Sequence, residues 1–224
     1  MLRQHRAALI AAAVLAILLF HISVAWQEMG TLARNGFLYD DSFYAFKIAR
    51  NIAAGNGATF DGIHPTTGFQ PLYVMLLVPA YALAGDDLAA PIYVALSLLA
   101  AFTALTAYVL YRICRRYVGW GASLAAALIW AFSPIVTKQT ANGLETALAS
   151  FMIAASVFYY LDRIRSRENP PTRCFAMLGI LLGITVLSRI DGMTSFEDIV
   201  DISGLPRFDT CRILNQLLQD GIIR

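Results

Sequence analysis

Long stretches of apolar residues, separated by short polar segments, occupy most of the chain up to about residue 190. Five of these stretches approach the length of about 20 residues that a membrane-spanning helix needs. A sixth, residues 71–84, has only about 14 residues, which favours a helix lying at the membrane surface. The pattern therefore predicts about five transmembrane helices, at residues 7–26, 89–111, 120–136, 144–161 and 174–187.

The basic residues lie between the apolar stretches, and their distribution predicts an orientation. If residues 71–84 stay at the surface and the N-terminus is cytoplasmic, two short basic loops, residues 112–116 and 163–173, both fall on the cytoplasmic side. If residues 71–84 cross the membrane instead, the first basic loop lies outside, against the positive-inside rule. We therefore expect residues 27–88 to form a large loop outside the cytoplasm.

An acidic pair stands within this loop, in the segment LYDDSFYAFKIARN at residues 38–51. Apolar residues beginning with Phe43 recur at helical spacing and predict one packed face, with Asn51 largely on the other side. Asp40 and Asp41 come at the start of this helix. The residues alone leave two interpretations open, a pair that caps the helix or a pair that forms part of an active site at the membrane surface.

The composition agrees with a membrane protein. The chain is 58% hydrophobic and 14% charged, with a mean hydropathy of +0.60, whereas soluble domains are about half apolar and about a quarter charged. A net charge of +2 is too small to indicate nucleic acid or another polyanionic partner. The cysteines lack the spacing of a zinc site or a disulfide framework. We expect a mainly α, multi-pass integral membrane protein with membrane lipid around it.

The end of the chain has the composition of a soluble segment. Residues 193–224 contain a helical stripe and a turn, and they resemble the helix-turn-helix end of a small winged-helix module. Acidic residues surround Arg207 and Arg212, whereas a DNA-binding surface should be basic. The tail therefore favours a protein partner over nucleic acid. Its side of the membrane depends on whether residues 174–187 cross.

An ordered series of segments connects the apolar stretches: YDDSFYAFKIARNIAAGNG, HPTTGFQPLY, LYRICRRYVG, SPIVTKQTANGLETAL and LSRIDG. In that order, residues 1–192 resemble the N-terminal part of the GT-C membrane glycosyltransferases, which include protein O-mannosyltransferases and lipid A aminoarabinose transferases. Full-length members continue with more spans where the tail begins here. A natural fusion, a truncated relative and an assembly artefact all remain open at about residue 192.

This resemblance implies transfer of a sugar from a polyprenyl-phosphate donor, on the extracytoplasmic side of a bacterial or archaeal plasma membrane, to an acceptor that stays open. In the family the acidic pair of the first outside loop carries the catalytic carboxylate. The resemblance therefore implies Asp40 as the general base, with Asp41 orienting it or contacting a divalent metal. The sequence makes no cofactor certain and leaves the requirement for a divalent metal open.

Contacts to the donor phosphate are less clearly marked. Some relatives have a basic residue just before the proline that begins the second loop helix, and this chain has Gln70 there. Lys47, Arg50 and Lys138 could each contact the phosphate instead, and nothing in the sequence selects among them.

Two further ionisable residues lie outside the cytoplasm in this topology. His64 stands in a turn and could touch a phosphate or a metal, although it has no partner at ligand spacing. Glu145 opens a span, where an ionisable group should have a partner or a function. Asp86 and Asp87 precede the second long span and are expected to cap it. A non-catalytic membrane protein that displays the helix-turn-helix tail is the competing prediction.

Overall fold

The computed structural model describes residues 2–189 of the chain, so the predicted soluble tail at 193–224 lies outside the described residues. Within that range all the regular elements are helices, which confirms the predicted fold class. They are α1 (Leu2–Ala25), α2 (Met29–Arg34), α3 (Asp40–Ala53), α4 (Pro71–Ala84), α5 (Ala90–Cys114), α6 (Trp120–Ala131), α7 (Pro134–Thr140), α8 (Thr146–Tyr159) with a π-helical turn (Tyr160–Ile164), and α9 (Thr172–Leu187).

Fewer helices than predicted are long enough to cross a membrane. In the described part of the chain, 3 helices have the required length and apolar composition: Gln4–Ala25 in α1, the whole of α5, and Thr146–Ile164 in α8 with its π turn. Helices α6 and α7 meet at an angle of 59° and raise the number to 4 only if they count as one broken span. The predicted fifth span is α9, which has 16 residues and falls below that length.

The break between α6 and α7 follows from a Ser-Pro pair. A residue that precedes proline is pushed out of the helical region, and Ser133 has an extended backbone with φ −66° and ψ 142°. Pro134 then begins α7, with the Ser133 hydroxyl accepting a hydrogen bond from the Val136 N–H at 3.3 Å. The carbonyl of Ala131, at the end of α6, accepts a hydrogen bond from Nε2 of buried His21 at 3.0 Å. A helix can break inside a membrane only where such groups find partners.

The long helices form a bundle with two distinct ends. Helices α1 and α5 are antiparallel, since Trp26 at the end of α1 donates a hydrogen bond to Ser97 near the start of α5 at 2.9 Å. Helices α5 and α8 run parallel, and an ion pair between Arg116 and Asp162 joins the segments that follow them. We call this the basic end of the bundle, because it carries Arg112, Arg115, Arg116, Arg163, Arg165 and Arg167. The opposite end, which carries α3 and α4, is the loop end.

One hydrophobic core joins the predicted loop helices to the spans. It includes Ile48 of α3, Tyr73 of α4, Leu99 of α5 and Leu148 of α8, each at most 2% exposed. Both loop helices therefore exist as predicted, and they pack on the bundle as part of its core. This packing holds α3 in a fixed position at the loop end.

Helix α9 reaches from one end of the bundle to the other although it has only 16 residues. It packs against the π turn at the basic end. Just beyond its last residue, the side chain of Arg189 donates a hydrogen bond to Glu145 at the start of α8, at 2.8 Å. The described chain therefore finishes at the loop end, where α9 packs against α4.

Candidate functional site

A cavity of about 560 Å³ opens along α3 at the loop end. We call it the α3 cavity. Its charged lining residues are Asp40, Asp41, Lys47 and Arg50, all of them candidates from the sequence. The rest of its lining is aromatic or aliphatic and comes from four parts of the chain: α3, the segment between α3 and α4, α4 itself, and residues 88–92, which lead into α5.

Helical periodicity explains why these residues share the cavity. Asp40, Phe43, Lys47 and Arg50 are three or four positions apart, which places them in one stripe along α3. Phe43 is 44% exposed and lines the cavity, so the prediction that it belongs to the packed face was wrong. The face of α3 that packs on the core is instead centred on residues 45, 46, 48 and 49.

The position predicted for Asn51 was also wrong, because this side chain is buried at 7% exposure. Its Nδ2 donates hydrogen bonds to the carbonyls of Thr59 at 2.8 Å and Phe60 at 3.0 Å. The ring of Phe60 then stacks on Tyr44 with a centroid distance of 4.9 Å, and the Tyr44 hydroxyl is hydrogen-bonded to Thr66 at 2.5 Å. These contacts hold the segment after α3 against that helix, where it forms one side of the cavity.

The acidic pair lies in the first turn of α3 and does not cap it through hydrogen bonds. The N-cap residue is Tyr39, with no side-chain cap bond, and both Asp40 and Asp41 are exposed. Within residues 2–189 neither carboxylate has a hydrogen bond or an ion pair to another side chain or to the backbone. Asp87 caps α5 as predicted, since it accepts the N–H groups of Ala90 and Ala89 at 3.0 and 2.8 Å, which hold its pKa below the usual range. Asp86 was also predicted to cap this helix, but among the described residues its side chain makes no such bond.

The loop between α7 and α8 holds the start of α3. The carbonyl of Asn142 accepts the backbone N–H of Tyr39 at 3.3 Å. The carbonyl of Gly143 accepts the hydroxyl of Tyr73 at 2.8 Å. Burial raises the pKa of Tyr73 well above its usual range, so the hydroxyl keeps its proton and remains a donor. Gly143 has φ +75°, and a Cβ atom built there would lie 2.7 Å from Cβ of Ser42.

Two sequence candidates lie away from the α3 cavity. His64 is on the surface with its side chain 80% exposed, and its Nδ1 is 2.7 Å from Oδ2 of Asp61. Hydrogen bonds from the His64 side chain and from the backbone N–H groups of His64 and Ile63 hold the pKa of Asp61 well below its usual range. Gln70 occupies the N-cap position of α4 without a side-chain cap bond. Neither His64 nor Gln70 lines the cavity.

The other two candidates lie close to the start of α3 without lining the cavity. Lys138 on α7 places its Nζ 5.8 Å from the ring centre of Tyr39, the residue just before the acidic pair. Glu145 is buried, at 5% exposure, and its partner is Arg189 at 2.8 Å. The structure thus supplies the partner that the sequence required for Glu145.

The apolar part of the cavity is the feature that sequence reasoning missed. Phe60, Tyr81, Leu88 and Ile92 line the same cavity as the charged stripe of α3. Burial raises the pKa of Tyr81 to about 12, an effect that the nearby positive charge of Arg50 reduces. Leu88 lies in the turn before α5 and Ile92 in the first turn of that helix, so no helical periodicity in the sequence indicates that they share a cavity.

A divalent metal would find a limited set of ligands in the cavity. Among residues 2–189 no group of three or more histidine, cysteine, aspartate or glutamate side chains is placed to hold a metal ion. Asp40 and Asp41 line the same cavity and are both exposed. Such a pair suits an ion like Mg²⁺, which takes one or two protein carboxylates and completes its shell with water and substrate phosphate.

Comparison with known proteins gives one match. The model of a family described as dolichyl-phosphate-mannose-protein mannosyltransferase matches residues 64–195, which is more than half of the chain. The match covers α4 to α9 and begins after α3, so Asp40 and Asp41 lie outside the matched residues. No curated protein and no solved structure matches the chain.

Proposed function

Because the chain belongs to the dolichyl-phosphate-mannose-protein mannosyltransferase family, we propose that it transfers a sugar from a polyprenyl-phosphate donor in the α3 cavity. Membership of this family indicates a membrane protein of the glycosyltransferase type. The donor, the acting residues and the side of the membrane are our proposal.

The observation that supports the proposal most strongly is the composition of the α3 cavity. Its carboxylates have no partners among the described residues, its cations share a helical stripe with Asp40, and the rest of its lining is aromatic or aliphatic. A lipid-linked sugar phosphate combines the same three properties: hydroxyl groups, a phosphate and a hydrocarbon chain. Lys47 and Arg50 would contact the phosphate, while Phe60, Leu88 and Ile92 would contact the first isoprene units.

In the proposed reaction an acceptor hydroxyl attacks the anomeric carbon of the sugar. Asp40 takes the proton of that hydroxyl as the new carbon–oxygen bond forms. The bond between the anomeric carbon and the phosphate oxygen breaks, and the lipid phosphate leaves with its negative charge balanced by Lys47 and Arg50. Asp41 orients Asp40 or contacts a divalent ion that would help to neutralise the same phosphate.

The spacing along α3 fits this division of roles. Seven residues separate Asp40 from Lys47, which corresponds to about 10 Å along the helix axis. A sugar ring can lie between a base at one position and a phosphate at the other. Lys138 is close to Tyr39 and would contribute positive potential at the same end of α3. His64, Gln70 and Glu145 have no direct part in this proposal.

The orientation of the bundle is part of the proposal. The basic end carries most of the arginines of the described loops, and the positive-inside rule would put that end in the cytoplasm. The α3 cavity, at the opposite end, would then face outward from the plasma membrane of a bacterium or archaeon. This orientation matches a reaction that uses a donor carried across the membrane by its lipid.

The test is a transfer assay with matched acidic variants. Membranes containing the wild-type chain, Asp40→Asn or Asp86→Asn receive a polyprenyl-phosphate-linked radiolabelled sugar, and label in the acceptor fraction is counted. Asp86 is the control because it is an exposed acid at the loop end that does not line the cavity. We expect Asp40→Asn to lose about 10²- to 10⁴-fold in rate, the usual contribution of a general base, and Asp86→Asn to keep it.

Asp40→Asn should leave folding unchanged, since the carboxylate makes no side-chain cap bond to α3. Transfer by Asp40→Asn at the wild-type rate would remove the assignment of the base. A wild-type chain that releases no sugar from any lipid donor would favour a non-catalytic membrane protein.

A further inference from the structure

A second cavity lies between α1 and α5, in the half of the bundle nearest the basic end. Its volume is about 670 Å³. Ile10, Val14 and Leu18 of α1 and Leu105 of α5 form its apolar part, and Arg112 stands at one end. We call it the α1–α5 groove. It shares no residue with the α3 cavity.

The charged end of this groove is built around Arg112. One guanidinium N–H donates to the hydroxyl of Tyr108 at 2.9 Å, and the guanidinium carbon lies 5.1 Å from the ring centre of Phe158. The nearby carboxylate of Asp162 is paired with Arg116 instead. Among the described residues no carboxylate pairs with Arg112, which leaves most of its five N–H donors for an anion.

The same end of the groove lies where a membrane meets water. The guanidinium of Arg6, next to the first groove residue of α1, lies 5.5 Å from the ring centre of Trp120. Tryptophan and arginine are enriched at this level of membrane proteins, where lipid phosphates lie. An anion held by Arg112 would therefore be at the depth of a lipid headgroup.

The length and volume of the groove decide what fills the apolar part. It runs along α1 from Ala7 to Leu18, which is about 17 Å of helix, close to the roughly 15 Å thickness of one leaflet's hydrocarbon. A transmembrane helix would need the full thickness of about 30 Å. Even a helical segment about 17 Å long and 10 Å wide occupies about 1,300 Å³, twice the volume of the groove.

We propose that the α1–α5 groove binds an anionic phospholipid from the leaflet on the basic side, with one acyl chain along α1 and its phosphate on Arg112. The lipid is a structural ligand, and its binding involves no chemical step. It would hold α1 against α5, because α1 is otherwise mostly exposed to its surroundings along this stretch.

The test is native mass spectrometry of the full chain purified in detergent. Dioleoyl-phosphatidylglycerol or dioleoyl-phosphatidylcholine is titrated onto the wild-type chain, Arg112→Gln, Ala11→Phe and Arg165→Gln. Ala11 is an exposed groove residue, so a phenylalanine there occupies apolar volume of the groove while Arg112 itself is unchanged. Arg165 is an exposed arginine at the same end, outside the groove, and serves as the control.

We expect the wild-type chain to retain phosphatidylglycerol in preference to phosphatidylcholine. Arg112→Gln should weaken phosphatidylglycerol binding about fivefold, the factor that about 1 kcal/mol of attraction per basic residue represents. Ala11→Phe should lose both lipids, and Arg165→Gln should behave as wild type. If Arg112→Gln fails to fold, the wild-type preference for phosphatidylglycerol and the loss of both lipids by Ala11→Phe together decide the outcome.

Four results would overturn the proposal. Equal retention of the two lipids by the wild-type chain, or equal effects of Arg112→Gln and Arg165→Gln, would remove the headgroup site. A wild-type dimer that Ala11→Phe converts to monomers would identify a second copy as the occupant. Displacement of phosphatidylglycerol by an equimolar polyprenyl phosphate, lost in Arg112→Gln, would identify the groove as a site for that lipid instead.

Discussion

The contact between Gly143 and the start of α3 gives the sharpest prediction about stability. Gly143 lies in the α7–α8 loop with φ +75°, and a Cβ atom there would meet Cβ of Ser42 at 2.7 Å and Cδ2 of Leu38 at 3.0 Å. We predict that Gly143→Ala displaces the first turn of α3, which carries the acidic pair. The free energy of unfolding should decrease, and the residues that line the α3 cavity should be displaced.

The magnitude has two parts. An alanine in the left-handed region costs about 1–2 kcal/mol, and forcing an extra carbon into a packed contact costs about 1–3 kcal/mol. The sum is about 2–5 kcal/mol. It is a large fraction of the free energy of unfolding of a folded domain, which is roughly 5–15 kcal/mol. Because a displacement of about 1 Å can cost about 10²-fold in rate, transfer should fall further than stability alone requires.

Gly57→Ala is the matched control for this substitution. Gly57 has nearly the same backbone, with φ +71°, but nothing lies within 4 Å of a Cβ built there. It therefore isolates the conformational cost of about 1–2 kcal/mol. Unfolding of the detergent-purified variants by heat and denaturant measures the difference. If Gly143→Ala is no more destabilising than Gly57→Ala, the close packing between the α7–α8 loop and α3 is not as described.

Three further predictions concern the residues around the cavity. Asn51→Leu removes the donor to two loop carbonyls and should lower the stability of the loop by about 1–3 kcal/mol. Proteolysis within residues 56–67 should become faster, and an unchanged cleavage rate would contradict the prediction. In a double-mutant cycle, Glu145→Gln and Arg189→Gln should show a coupling of no more than about 1 kcal/mol that weakens with salt, because the arginine is 59% exposed. The pKa of Asp61 is lower in the folded chain than its ordinary value of 3.8. The ionised Asp61 should therefore stabilise the same loop fully at pH values above 3.8, and this stabilisation should decline as the pH falls through the lowered pKa. Asp61→Asn should remove this dependence of loop proteolysis on acid pH. A pH profile of proteolysis identical to that of the wild-type chain would contradict the prediction.

The helices of the bundle were predictable because each apolar stretch is long and continuous. The break at Ser133 and Pro134 was not predicted, although the Ser-Pro pair is a local signal that disfavours a continuous helix. The run of apolar residues on both sides concealed it. The partner of the freed carbonyl, His21, is 110 positions away in the sequence, and no periodicity could have identified it.

The charged half of the α3 cavity was partly predictable for a similar reason. Lys47 and Arg50 follow Asp40 at helical spacing, so one helix brings them together. Asn51 was misplaced because its partners are backbone carbonyls of an irregular segment, which leave no trace in side-chain pattern. The contact of Gly143 with Ser42 joins segments about a hundred residues apart and depends on the packing of the whole bundle. The catalytic roles of Asp40 and Asp41 stay predictions.

The most direct measurement of the central claim is photo-crosslinking of a polyprenyl phosphate that carries a diazirine on its first isoprene unit. The probe is added to the purified chain, irradiated, and located by peptide mass spectrometry. Binding in the α3 cavity predicts label on peptides containing Phe60, Leu88 or Ile92, competed by unlabelled polyprenyl-phosphate sugar. Label confined to the α1–α5 groove, or spread over all exposed apolar surfaces without competition, would contradict a donor site beside Asp40.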